Sequence, residues 1–190
     1  CWEQLDSGAI TAANFGPYNS IGSMARSLPP SRQSTRSIPR KNAVLSNQLT
    51  QSDPEVGSSW ETVSLVEREL NWGLTVRKNQ GEAVQVAEDK MKITVGDTPS
   101  HFVLTSQESP GIVWKGGAYQ TVKWQVAETN SPPFNYETIE IYLSTDGGLH
   151  FDTLLANGVS NTGEARVFVP NTIDTDQARI KIKPEGAIFF

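Results

Sequence analysis

A chain of 190 residues with 37% hydrophobic side chains fits one large or two small apolar cores, and no apolar run approaches the ~20 residues of a membrane-spanning helix. The net charge of −5, from 21 acids against 16 bases, argues against a general nucleic-acid binder. The only cysteine is Cys1, so no internal disulfide can form, and fifteen Gly with eleven Pro suit many short strands and turns.

The chain opens on Cys1-Trp2-Glu3-Gln4-Leu5, which reads as a strand with Trp2 as its core anchor. Between residues 7 and 52 there is no acid at all, while Arg26, Arg32, Arg36, Arg40 and Lys41 alternate with Pro17, Pro29, Pro30 and Pro39. Proline removes ladder donors and fixes φ, so this stretch reads as a long irregular crossover, pinned by Phe15, Tyr18, Leu28 and Ile38. It is either a basic strip for an acidic partner or an ordered segment docked on an acidic surface of the chain or of a parent protein. Residues 42–48 could form one helical turn, and residues 60–66 a short strand.

Residues 70–95 predict a long hairpin. Leu70, Trp72, Leu74 and Val76 alternate with polar or small residues, a period of two that puts them on one face. Asn79-Gln80-Gly81 is the expected reversal, because Gly tolerates the positive φ of a tight turn. Val84 and Val86 then fall on even numbers but Met91, Ile93 and Val95 on odd ones, which predicts a β-bulge within 87–90. Gly96-Asp97-Thr98-Pro99 breaks the pattern and marks a boundary between domains 1–98 and 99–190.

In the second half, strand candidates recur about every ten residues without an amphipathic helix between them: 102–106, 119–126, 139–143, 151–155, 165–169 and 178–182. Val122, Trp124 and Val126 share one face, and Ile139, Ile141 and Leu143 another. Such spacing is the mark of an all-β sandwich. The fold class expected is therefore all-β, with two Ig-like or PKD-like β-sandwich domains, the first carrying the long crossover and lacking its opening strands. The absence of an initial Met and the final Ile188-Phe189-Phe190 read as the ends of a fragment.

Candidate chemistry is sparse. The histidines His101 and His150 are far apart, and there is no H-E-x-x-H, C-x-x-C or phosphate loop. Ser144-Thr145-Asp146-Gly147-Gly148-Leu149-His150-Phe151 fits S-x-D-x-G-x-x-F and resembles the Asp-box hairpin of sialidases and many secreted β-proteins. There the Asp accepts backbone N–H bonds across a turn and the aromatic packs beneath, a structural device. Calcium is a weaker possibility, with Asp146, or Asp174 and Asp176, as oxygen donors, although no D-x-D-x-D series occurs. No catalytic, cofactor-binding or metal residue is assigned. Trp60 and Trp114 are the aromatics left over for a sugar platform, since Trp2, Trp72 and Trp124 fall on predicted core faces.

Two further resemblances rest on longer stretches. Cys1-Trp2-Glu3-Gln4 together with Leu70-Asn71-Trp72-Gly73-Leu74-Thr75-Val76-Arg77-Lys78-Asn79-Gln80-Gly81 is similar to PKD-like and cadherin-like modules, with Lys78 in place of the usual Asp. Arg26-Ser27-Leu28-Pro29-Pro30 and Ser34-Thr35-Arg36-Ser37-Ile38-Pro39-Arg40 with Leu70–Arg77, and then Trp114-Lys115-Gly116-Gly117, Gln120-Thr121-Val122-Lys123-Trp124, Leu143-Ser144-Thr145-Asp146-Gly147-Gly148 and Ala178-Arg179-Ile180-Lys181, resemble the region after the catalytic domain of bacterial secreted reprolysin-like zinc metallopeptidases. That resemblance implies a secreted parent with a zinc site outside this chain. It also implies a noncatalytic role here as spacer, substrate-docking surface or folding support. The partners implied are the parent's catalytic domain, a protein substrate or a surface glycan, with no nucleic acid. In such a secreted setting Cys1 either pairs outside the chain or stays buried as a free thiol. The alternatives are a carbohydrate- or cell-surface-binding module, and an enzyme with a carboxylate pair that spacing does not reveal.

Overall fold

Alternation builds nearly all the regular structure. A computed structural model describes residues 1–80, 83–98 and 100–190, and shows an all-β, sandwich-like chain of three small antiparallel sheets. Contacts divide it into two compact units, Cys1–Asp97 and Thr98–Phe190.

The first unit holds β1 (Trp2–Gln4), β2 (Arg68–Gln80) and β3 (Ala83–Val95), paired in that order. β2 and β3 pair without interruption from Arg68↔Val95 to Gln80↔Ala83. The bulge expected within 87–90 is therefore absent. The change of parity arises instead at the connection, where two residues separate the last paired positions, so even numbers on β2 face odd numbers on β3. Met91 and Ile93 lie opposite Trp72 and Leu70 on one face, and Val86, opposite Arg77, belongs to the other. The reversal expected at Asn79-Gln80-Gly81 lies partly outside the described residues.

The layer over this sheet is the crossover itself. It contains one 3-10 turn (Ala12–Asn14) and α1 (Lys41–Leu45), and otherwise no regular element among the described residues. The strand expected over 60–66 shrinks to a single bridge, Ala25↔Glu61, because Trp60 adopts φ +51, outside the strand region. Phe15, Met24 and Ala25 are buried, but Tyr18, expected as a pin, is 73% exposed.

Polar groups do the pinning. The Glu61 carboxylate is fully buried and accepts from Arg36 Nη2 at 2.6 Å, from the Arg40 backbone N–H at 3.0 Å and lies 3.2 Å from Arg40 Nε. Arg36 also donates to the carbonyls of Trp2 at 2.9 Å and Arg26 at 2.6 Å. Arg68, on β2, donates to the carbonyls of Asn19 at 2.9 Å and Gly22 at 2.7 Å, with Asp6 3.7 Å away. Asp6 in turn accepts from the backbone and side chain of Asn71.

The second unit places β4 (Val103–Leu104), β5 (Tyr119–Gln125) and β8 (Glu164–Phe168) in one sheet. The other sheet, ordered β7-β6-β9, holds β6 (Thr138–Ser144), β7 (Thr153–Ser160) and β9 (Arg179–Pro184). Val122, Trp124 and Val167 from the first meet Ile139, Ile141 and Ile182 from the second in one core cluster, the packed interior of a sandwich. Each such aliphatic side chain contributes roughly 1.5–3 kcal/mol by leaving water. Trp124 has a polar partner inside: its Nε1 donates to Asn161 Oδ1 at 2.9 Å, and Asn161 Nδ2 donates to Thr129 Oγ1 and the Tyr136 carbonyl. The β6–β7 pairing shifts register twice around Ile141, a bulge that no sequence alternation announced.

Two outcomes follow from the pinned crossover. Glu61→Ala leaves Arg36 buried without its counter-charge and should cost about 3–5 kcal/mol in urea denaturation. Glu69→Ala, whose partner Lys92 is solvated, should cost under ~1 kcal/mol. Equal losses would remove Glu61 from its central place. In limited trypsinolysis, exposed Arg32 should be cut before Arg36, whose side chain is 8% exposed; first cleavage at Arg36, read by mass spectrometry, would contradict the pinning.

Candidate functional site

On β5, Val122 and Trp124 point inward, so Tyr119, Thr121, Lys123 and Gln125 point to solvent. β8 does the same with Glu164, Arg166 and Phe168. Antiparallel register stacks these into three rungs: Tyr119↔Phe168, Thr121↔Arg166 and Lys123↔Glu164. The first is an aromatic pair, edge to face, with ring centroids 5.4 Å apart. Both rings are open to water, Tyr119 at 61% and Phe168 at 46%. The Arg166 guanidinium lies 5.2 Å from the Tyr119 ring centroid, a cation–π contact that orients it. Lys123 lies 3.6 Å from Glu164 in an exposed ion pair. Thr121, Lys123, Glu164, Ala165 and Arg166 line a shallow depression between the strands.

The Asp-box motif sits at the end of β6 and closes on itself. Asp146 Oδ1 accepts from Ser144 Oγ at 2.7 Å and from the His150 backbone N–H at 2.9 Å, and Oδ2 lies 2.6 Å from His150 Nδ1. Ser144 Oγ also accepts from the Gly148 backbone N–H at 2.9 Å. Gly147 and Gly148 take φ of +76 and +95, which only glycine adopts without strain. The bond from the His150 N–H, then those from Ser144 and the His150 ring, hold the Asp146 carboxyl well below its ordinary value near 3.8. Phe151 is half-buried, with Lys181 Nζ 4.6 Å from its ring centroid.

The other residues singled out by sequence do not converge. Asp174 and Asp176 are exposed in a loop tied to the Asp-box turn by Thr175 Oγ1 to the Thr145 carbonyl and by the Gly147 N–H to the Gln177 carbonyl. His101 is exposed before β4. Among the described residues no group of three or more His, Cys, Asp and Glu forms. Cys1 is a free, half-buried thiol with Sγ 3.4 Å from the Leu28 carbonyl oxygen. Trp60 packs edge-on to Phe15 with Arg26 above it, and half-buried Trp114 packs against the sandwich core. Arg36 and Arg40 of the basic crossover serve Glu61. Sequence reading passed over Tyr119, Arg166 and Phe168. The available signal was an aromatic at an outward position of a strand whose inward positions are already filled.

No family model, curated protein or solved structure matches the chain.

The Asp-box geometry fixes a pH dependence. A carboxyl depressed on folding adds stability that is present above its unfolded value and is lost as pH falls toward the folded one. Thermal midpoints of the full chain and of Asp146→Asn should therefore differ most at neutral pH, and the gap should begin to narrow only below about pH 4 and keep shrinking with further acid. A gap that stays constant on acidification would show that the charge of Asp146 does not hold the turn.

Proposed function

We propose that the chain is a noncatalytic accessory region of a secreted zinc metallopeptidase, serving as a docking and supporting surface. The observation that carries this reading is where the reactive side chains go. Glu61 binds two arginines, Asp6 binds Asn71 and Gln4, and Asp146 binds Ser144 and His150. Each of these carboxylates is engaged in closing a turn or pinning the crossover. General acid–base chemistry needs a group poised toward a substrate instead. The peptidase parent and the secreted location rest on the sequence resemblance. Among the described residues no helix is long and apolar enough to cross a membrane.

A second reading, a carbohydrate- or surface-binding module, is favoured by one observation, the exposed Tyr119–Phe168 rung beside hydrogen-bonding side chains. Both readings place the work on a surface rather than in a catalytic cleft.

The purified chain, prepared without chelator, should hold no stoichiometric zinc by metal analysis and should release no peptides from casein. One zinc per chain, with hydrolysis abolished by its removal, would overturn the noncatalytic reading.

A further inference from the structure

We propose that the outer face of the β4–β5–β8 sheet binds an oligosaccharide bearing a carboxylated sugar, with Arg166 taking the carboxylate and the Tyr119–Phe168 rung stacking against the pyranose ring. The proposal rests on the docking reading above and names its ligand.

The charge arrangement points to an acid. Lys123 and Glu164 neutralise each other at 3.6 Å. Arg166 lines the same depression and has no carboxylate partner among the described residues. The remaining charge of that face is thus one planar fork of N–H donors, matched in shape to a carboxylate. Its contact with the Tyr119 ring fixes the fork before any ligand arrives, which lowers the ordering cost of binding.

The neighbouring groups point to a sugar. A pyranose presents a flat C–H face that packs on an aromatic ring and a rim of hydroxyls that need polar partners. Here two exposed rings form one rung, and the next two rungs supply a hydroxyl, a guanidinium, an ammonium and a carboxylate. Nucleic acid fits poorly, because its phosphates follow one another every ~1.7 Å of duplex and call for several unpaired cations. A chain of net charge −5 with, among the described residues, one unpaired cation on this face suits a sparsely charged ligand.

The test uses the full chain and trigalacturonate, with its fully methyl-esterified form as a neutral control of the same shape, in isothermal titration and in chemical-shift mapping. Saturable binding of the free acid is expected, with shifts at Tyr119, Thr121 and Arg166, and at least tenfold weaker binding of the ester. Arg166→Ala and Tyr119→Ala should each weaken binding at least tenfold while the thermal midpoint holds. Arg166→Lys, which keeps the charge and loses the fork, should fall between. Leu154→Ala, exposed on the other sheet, should change nothing. Equal binding of acid and ester, indifference to Arg166→Ala, or no saturable binding would each overturn the proposal. Equally tight binding of triglutamate would replace the sugar by an acidic peptide. These outcomes are separate from the zinc and casein assay, so the ligand can fail while the noncatalytic reading stands.

Discussion

One buried carboxylate governs the first unit. A single three-stranded sheet with β1 only three residues long cannot bury its own apolar face, so the segment between β1 and β2 must cover it. That segment is rich in proline and offers few ladder bonds. Glu61 supplies what the ladder does not, by accepting from Arg36 and Arg40 while standing in the one bridge to Ala25. Charge burial is expensive, and an ion pair repays it only with good geometry and further hydrogen bonds. Here the carboxylate has a side-chain and a backbone donor, and Arg36 reaches two carbonyls besides. Compensation is incomplete, since Arg36 Nε and Trp72 Nε1 are buried without a hydrogen-bond partner among the described residues. The guanidinium lies 5.8 Å from the Trp72 ring centroid, where a cation–π contact offsets part of that cost.

The second unit solves the same problem by ordinary means. Two sheets supply each other's cover, and Trp124 has the polar partner that Trp72 lacks among the described residues. Asn161 links Trp124, Thr129 and the Tyr136 carbonyl, so the indole N–H is satisfied and the loop around 129–136 is anchored. A fully satisfied buried polar group of this sort specifies one packing among many. The loop around 129–136 therefore hangs from the core rather than from ion pairs.

These two solutions explain what the sequence made legible. Period-two alternation sees the inward face of a strand directly, so β5, β6, β8 and β9 could be read within a residue or two, and Trp72 and Trp124 fall inside. Alternation does not see connection length, and the Val84–Val86 parity was misread because two intervening residues invert face as effectively as a bulge. Nor does it see tertiary ion pairs. Glu61 lies 25 residues from Arg36 and has no periodic signature, while Tyr18 looks apolar yet is solvated and Met24 fills the core. The Asp-box was legible because the bonds of its aspartate and serine side chains are local, within Ser144 to His150. The outer sheet face was not, because alternation argues about positions that face the core and is silent on the character of those that do not.

That silence bears on function. Arginine appears in this chain in two states with the same chemistry and opposite consequences. Arg36 is desolvated, paired with Glu61 and reaches two carbonyls, so its donors hold the fold. Arg166 is oriented by an aromatic ring but carries no counter-charge among the described residues, so its donors remain directed at solvent. A guanidinium fixed in place yet unneutralised gains little for stability, since exposed ion pairs and cation–π contacts contribute about 1 kcal/mol or less. Removing it should therefore leave folding almost untouched. A surface feature that is ordered without stabilising the fold is where a difference between binding and folding can be measured cleanly, and on this chain the β5–β8 face has that property.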